Sequence, residues 1–417
     1  MPDILVLATD AQTRGGIQRY ARHVVESLRA LCGPQAVRVL FLWRTTAPPS
    51  FREKLAFVRS VIDEVRRRPP SLIISTHVGI ARVAAVMKRM WGIPYVVLAH
   101  GDEVWGSAPS YALRAADAVL SVSRFTAERL IRRHGVEAQR IRLLPPALDP
   151  ELLRSPISPQ QVIERHGLHG KRVLLTVSRL TARGRYKGHE VVMRALVQVR
   201  RVLPEVVYVI VGDGDDRPRL ERLAVELGLD GAVHFAGDVE DAWLPAYYRS
   251  CDLFVMPSRT RLEDPCEGEG FGIAYLEAAA FGKPAIAGRE GGSAEAVLDG
   301  VTGVLVNAAD PGEVARAILT LMQDADRRRS LGERARERAW RDFTLERFQR
   351  NLAAILGEVA PPDGRGGGPR RASVHPFEDG DSDAHFEDHA LLLSGSGRRG
   401  DESDGRSSGA RVGSPWA

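Results

Sequence analysis

Glu269-Gly270-Phe271-Gly272-Ile273-Ala274-Tyr275-Leu276-Glu277 sets two carboxylates eight residues apart. Glycines break the chain around the first. The second lies in an apolar run that continues through Ala278, Ala279 and Ala280 and reads as a helix. Helical rise of about 1.5 Å per residue puts the two carboxylates roughly 10 Å apart. Between them, the N–H groups of Phe271, Gly272 and Ile273 open the helix, which makes a ready site for a phosphate.

Outward from this stretch, short apolar runs alternate with helix-like segments. Strands are expected at 4–8, 37–43, 72–75, 95–99, 118–122 and 140–144, and a second series at 173–178, 206–211, 233–236, 253–256, 284–287 and 303–306. Helices are expected at 18–31, 126–134, 189–201, 218–228 and 312–323, with charged helices at 327–339 and 346–356. Alternating βα units imply parallel sheets covered by helices on both faces. The two series are separated by an irregular segment holding Pro145, Pro146, Pro150, Pro156 and Pro159. They predict an α/β chain of two Rossmann-like domains, 1–165 and 166–340, facing across a cleft. From Pro361 onward, glycine, serine and charge dominate, and 361–417 is expected to be a disordered tail whose one apolar island is Ala390-Leu391-Leu392-Leu393.

A chain of 417 residues holds two full cores, and 44% apolar with 27% charged residues is ordinary for a soluble globular protein. No apolar run approaches the roughly 18 residues of a membrane span. Ile4-Leu5-Val6-Leu7-Ala8 begins without a basic region or cleavage site, so it reads as a first strand, not a signal peptide. Cys32, Cys251 and Cys266 have no metal-ligand spacing, which fits a reducing cytoplasm. Cys266 lies near the glutamate stretch by incidental placement. The net charge of +5 rests on arginine, because Lys54, Lys88, Lys171, Lys187 and Lys283 are the only lysines. That balance suits anionic partners such as diphosphates or acidic lipids. Without a zinc-finger, RNP-like or helix-turn-helix signature, nucleic acid is disfavoured. The basic, partly apolar segments 58–68 and 126–134 suit either an anionic leaflet or ordinary amphipathic packing.

Several further motifs fall at strand ends. Gly15-Gly16-Ile17-Gln18 follows the first strand and opens a helix, so backbone can come close to a ligand there. Arg179 ends a second-series strand and Lys187 precedes a helix; two cations at that sheet edge would neutralise a leaving diphosphate. Arg183 and Arg185 read as surface residues. Gly212-Asp213-Gly214-Asp215-Asp216 lacks the third glycine of a dinucleotide loop and reads as a tight turn, although a D-x-D metal site has the same spelling. His100, in His100-Gly101-Asp102-Glu103, ends a strand at the inter-domain crevice. His77 is a weaker case of the same kind and reads as structural. Ser123 or Thr126 is expected to cap a helix, with Arg124 beside it. The loop after Pro257-Ser258-Arg259 is acidic, with Glu263, Asp264 and Glu267; the aim of Glu267 and Glu269 is not read from the residues, but the eight-residue spacing to Glu277 chooses Glu269.

Glu269 and Glu277, so separated, suit the two sugars of a nucleotide sugar, one carboxylate for hexose hydroxyls and one for ribose. The stretch closely resembles the E-x7-E motif of retaining family 4 glycosyltransferases, which have the GT-B fold. The resemblance covers roughly 1–355, and its local wording is most similar to phosphatidylinositol-mannoside mannosyltransferases. It implies that Gly15 and Gly16 face the donor phosphates and that Arg179 and Lys187 grip the diphosphate. It further implies that Asp213 lies in the family's G-x-G-P-x turn, that the loop ending at Val239 holds the nucleobase, and that His100 lies beside the reacting sugar. Gly291-Gly292-Ser293-Ala294-Glu295 resembles the family's G-G-x-x-E loop and is given no chemistry. A helix at 341–358 is expected to cross back onto the first domain.

The implied donor is a nucleoside diphosphate sugar, GDP-mannose first on the Arg259 and His100 contexts, with UDP- and ADP-sugars open. The implied acceptor is a lipid, inositol or glycan, and the implied location is the cytoplasm or the inner face of the plasma membrane. The carboxylates are too far apart for a glycosidase-like double displacement, so a front-face reaction is expected, with fixed cations in place of a metal and without a cofactor. The competing readings are a GT-B sugar-nucleotide epimerase and a non-catalytic nucleotide-sugar binder. A dehydrogenase would need the missing glycine fingerprint.

Overall fold

The computed structural model describes residues 3–9, 15–42, 49–106, 108–150, 154–261 and 266–359. Trp43, Glu263, Asp264, Pro265 and the whole segment 361–417 lie outside these residues.

Strands β1 (Ile4–Ala8), β2 (Val37–Phe41), β3 (Leu72–Ser75), β4 (Tyr95–Ala99), β5 (Ala118–Ser121) and β6 (Ile141–Leu143) form a first sheet in the order β2-β1-β3-β4-β5-β6. Strands β7 (Arg172–Val177), β8 (Val206–Val211), β9 (Val233–Gly237), β10 (Leu253–Met256), β11 (Ala285–Gly288) and β12 (Gly303–Val306) form a second, in the order β12-β11-β10-β7-β8-β9. Every named pairing is parallel. Helices cover both faces, so β1 and β4 are buried at every position and read as continuous apolar runs.

The helices are α1 (Gly16–Cys32), α2 (Phe51–Arg67), α3 (Ala81–Trp91), α4 (Asp102–Trp105), α5 (Ser110–Ala115), α6 (Arg124–His134) and α7 (Pro159–His166), followed by α8 (His189–Arg200), α9 (Arg217–Glu226), α10 (Leu244–Ser250) and α11 (Ile273–Ala280). The last four are α12 (Ser293–Ala296), α13 (Pro311–Gln323), α14 (Ala325–Asp342) and α15 (Leu345–Val359).

Strand ends move by a residue or two from the sequence expectation, and one case has a clear cause. Val122 leaves β5 because the Ser121 hydroxyl donates to the Ser123 carbonyl at 2.8 Å, turning the chain into α6. Ser123 then caps that helix by accepting the Thr126 N–H at 3.0 Å. The inward faces of α2 and α3, with Phe57, Val61, Val65 and Met87, bury against the first sheet; Met193, Leu196, Ile318 and Leu321 do the same between α8, α13 and the second. The last described helix returns to the first half: the Phe348 ring of α15 stands edge-on to Tyr20 of α1 at 5.5 Å. The Leu148 N–H also donates to the Phe343 carbonyl at 2.8 Å.

In each sheet the strand order reverses beside one strand. β1 is flanked by β2 and β3, and β7 by β8 and β10. Ligands of doubly wound sheets bind outside the carboxyl ends at such points. There the chain places Gly15 after β1, Thr76 after β3, Arg179 after β7 and Pro257 after β10.

Candidate functional site

The second sheet's reversal point is built around Lys187. The segment from Arg179 to Lys187 is pinned where the Arg259 N–H donates to the Tyr186 carbonyl at 2.8 Å, and the ammonium sits over the Tyr186 ring at 5.1 Å. Arg185 is exposed, as its sequence suggests, but it is not idle. Together with Arg219 it pairs with buried Asp216, at 2.7 and 2.9 Å, and so braces this loop against α9. Lys187 reaches the first glutamate of the motif: its Nζ donates to Glu269 Oε2 at 2.7 Å, with the two side chains 18% and 12% exposed. Glu269, not Glu267, is therefore the aimed carboxylate. Glu267 is held away by paired backbone bonds and an ion pair with Arg261. Arg179 stands exposed at the end of β7, and among the described residues its guanidinium makes no ion pair.

His189, the first residue of α8, shares a hydrogen bond with the Ser178 hydroxyl through Nε2 at 2.8 Å. Burial, with Lys187 nearby, lowers its pKa to about 3. The unfolded imidazole takes up a proton near pH 6.5 and the folded one near 3, so stability should fall as pH falls through that window. Gln at position 189 keeps the hydrogen bond without the titration. Melting temperatures of His189→Gln should decline less between pH 6.5 and 4 than those of the native chain. Parallel curves would remove this assignment.

The motif helix α11 starts at Gly272, whose φ of 94° is left-handed and whose missing Cβ would stand 2.4 Å from the Tyr275 ring. Among the described residues no side chain caps that start, and no acidic residue occupies its first turn, where a helix carries partial positive charge. Gly16 lies opposite: a Cβ there would touch Ile273 Cδ1 at 3.4 Å. The glycine turn before α1 and the motif thus meet. Phe271 is buried against the Phe343 ring.

Glu277 is buried, and both of its oxygens are engaged. Oε1 accepts from Arg19 Nη1, which α1 carries over from the first sheet, and Oε2 accepts from the Tyr248 hydroxyl at 2.6 Å. The carboxylate raises the pKa of Arg19; burial, and then Glu277, raises that of Tyr248. His100 ends β4 at the same crevice. Its Nε2 lies 2.8 Å from the Thr76 carbonyl, which only accepts, so Nε2 carries the proton. Its ring is edge-on to Tyr20 at 5.1 Å, and its own carbonyl lies against Gly270. His77 keeps to structure, its Nδ1 accepting the Gly79 N–H at 2.9 Å.

Asp213 works within its turn, accepting from the Gly214 N–H at 2.7 Å and pairing with Arg217 at 3.0 Å. Val239 is buried just beyond β9. The structure thus brings Gly16, His100, Lys187, Glu269, Gly272, Ile273 and Glu277 to one crevice.

The sequence reading passed over three residues. Arg19 follows the glycine turn directly and could have been noticed as a cation in the first turn of α1. Tyr248 gave no signal. Glu295, given no chemistry above, accepts the N–H groups of Arg124 and Phe125, both at 2.9 Å, and so caps α6 of the first half from the second. Burial raises its pKa.

Residues 160–338 match the family described as glycosyl transferases group 1, and residues 14–152 match glycosyltransferase family 4. A GDP-mannose-dependent α-(1-6)-phosphatidylinositol monomannoside mannosyltransferase of Mycolicibacterium smegmatis is 35% identical over 289 residues, 67% of this chain and 73% of that protein. D-inositol 3-phosphate glycosyltransferase 2 of Catenulispora acidiphila is 31% identical, over 64% of this chain and 66% of that one. The crystal structure of Anabaena HepE with UDP and glucose superposes with a TM-score of 0.69 at 22% identity, covering 86% of this chain and 100% of HepE, a likeness of fold.

Proposed function

This chain belongs to the family 4 glycosyltransferases of GT-B fold, and we propose that it transfers a mannosyl group, with retention, from GDP-mannose to an inositol-bearing lipid. The observation that carries the reading is the Lys187–Glu269 pair at the reversal point of the second sheet, beside an uncapped helix start. Glu269 would take hydroxyls of the transferred hexose. Lys187, Arg179 and the N–H groups of Phe271, Gly272 and Ile273 would take the diphosphate as negative charge builds on the leaving oxygen. Glu277 would take the ribose, and the loop ending at Val239 the base. Both motif carboxylates already serve in ion pairs, which supports binding roles and not that of a nucleophile. The acceptor hydroxyl would attack from the face the diphosphate leaves, and the departing phosphate oxygen would take its proton. His100, fixed by Thr76, would orient the sugar. In this scheme residues 1–165 serve the acceptor, residues 166–340 the donor, and α15 returns from the second to the first.

Thermal shifts with GDP-, UDP- and ADP-sugars, then mass analysis of products from phosphatidylinositol lipids, test the reading. Selective stabilisation by a GDP-sugar and a hexosylated lipid are expected. A UDP- or ADP-sugar preference would change the donor, and hydrolysis or epimerisation alone would end the transferase reading.

No helix among the described residues is long and apolar enough to cross a membrane. The proposed place of meeting with the acceptor is the inner face of the plasma membrane. In segment 58–68 the apolar Val61 and Val65 turn inward, as ordinary packing requires. The start of α2 differs: Phe51 is 79% and Leu55 60% exposed, beside exposed Arg52, Lys54 and Arg59. Apolar residues among cations suit an anionic leaflet. Phe51→Asp with Leu55→Asp should abolish co-sedimentation with anionic vesicles while leaving the melting temperature unchanged. Undiminished sedimentation would dismiss α2 as the contact.

A further inference from the structure

We infer that Arg19 is a positioning residue for donor recognition: from the first half of the molecule, it holds the Glu277 carboxylate aimed at a vicinal diol. This rests on the reading, given above, that Glu277 takes the ribose.

A carboxylate has about four lone-pair positions. Arg19 Nη1 uses one on Oε1 and the Tyr248 hydroxyl uses one on Oε2, which leaves one acceptor position on each oxygen. Two adjacent acceptors on one rigid group match the two hydroxyls of a ribose cis-diol. The guanidinium fixes how the carboxylate is turned, and its attraction to Glu277 is the largest influence on its own raised pKa. Tyr248 comes from α10, in the same half as Glu277, whereas Arg19 comes from α1 across the crevice. The complete diol receptor therefore exists only while the two halves stand together. Opening withdraws Arg19 and loosens the donor's ribose. Donor grip and closure are one event at this point, which suits release of the spent nucleotide.

The test is steady-state kinetics with GDP-mannose and 2′-deoxy-GDP-mannose on the full chain. The native enzyme should favour the ribose donor in KM. Arg19→Met should raise KM for GDP-mannose roughly thirtyfold with little change in kcat, since one partner of a buried pair is gone. It should also bring the deoxy-to-ribo KM ratio close to one, and Arg19→Lys should restore part of the ratio. A folded Arg19→Met that keeps the native ratio, losing both donors equally, overturns the inference in favour of a merely structural or phosphate-binding Arg19. Glu277→Gln separates the two levels. If it keeps the native ratio, the ribose reading itself fails; if it loses the ratio while Arg19→Met keeps it, only the role of Arg19 fails. Should Arg19→Met not fold, the Arg19→Lys ratio decides, a reduced ratio supporting the inference and an unchanged one overturning it.

Discussion

Lys187→Ala should lower kcat by about two to three orders of magnitude at saturating donor, the cost of losing one fixed charge-stabilising donor at a leaving group. The ammonium sits at the carboxyl edge of the second sheet, 2.7 Å from Glu269, on a loop braced by Asp216 and by the Arg259 backbone. Removing it would take a cation from the proposed diphosphate site and leave Glu269 buried without that partner. Folding should lose only about 1–3 kcal/mol, the range of one charge-assisted bond. The pair is not sealed from solvent, with side chains 18% and 12% exposed, so the low end is expected. Near-native kcat in a variant with an intact melting transition would remove Lys187 from the chemistry. Glu269→Gln gives the complement. It keeps an acceptor toward the hexose and loses the charge, so it should retain more activity than Glu269→Ala.

Gly270→Ala should cost at least about a hundredfold in kcat/KM, the scale set by a displacement of roughly 1 Å at a reacting centre. An added Cβ at Gly270 would stand 1.9 Å from the His100 carbonyl oxygen and 3.0 Å from its carbon. Those are backbone atoms at the end of β4 and cannot swing aside. Gly101, at φ 140°, meets Gly270 from the other side, where its own added Cβ would be 2.9 Å from the Gly270 Cα. A single methyl group thus wedges the halves apart where His100 faces the motif. Each half keeps its core, so the loss should appear as an increased radius of gyration by small-angle scattering and not as unfolding. Unchanged scattering together with native kcat/KM would show that the contact yields without harm.

Glu295 and Arg19 add to the same seam. One caps α6 across it and the other pairs with Glu277 across it. Each joins a charged or dipolar group from the two sheets, so closure here is written in polar contacts as well as in shape.

Much of the fold was legible along the chain because its signals are local. Strands buried on both faces must be continuous apolar runs, as in β1, β4 and β8, and the helices between them repeat their apolar residues at helical spacing. The two-series pattern therefore announced two parallel sheets. The E-x7-E stretch and Lys187 were legible for a similar reason, since glycine-broken turns at strand ends are where backbone comes free for a ligand. The spacing to Glu277 chose Glu269 over Glu267, and the structure added the reason Glu267 is held away, its Arg261 partner across the loop. The tasks of Arg19, Tyr248 and Glu295 were beyond sequence, because their partners lie 258, 29 and about 170 positions away. Composition and periodicity report which face of an element is buried and say nothing about which charge meets it from another domain. The residues by themselves determined two sheets and the glycine-broken turn that leads into α11. Only the tertiary structure decided how the two halves share one carboxylate, because that depends on how two independently cored units pack.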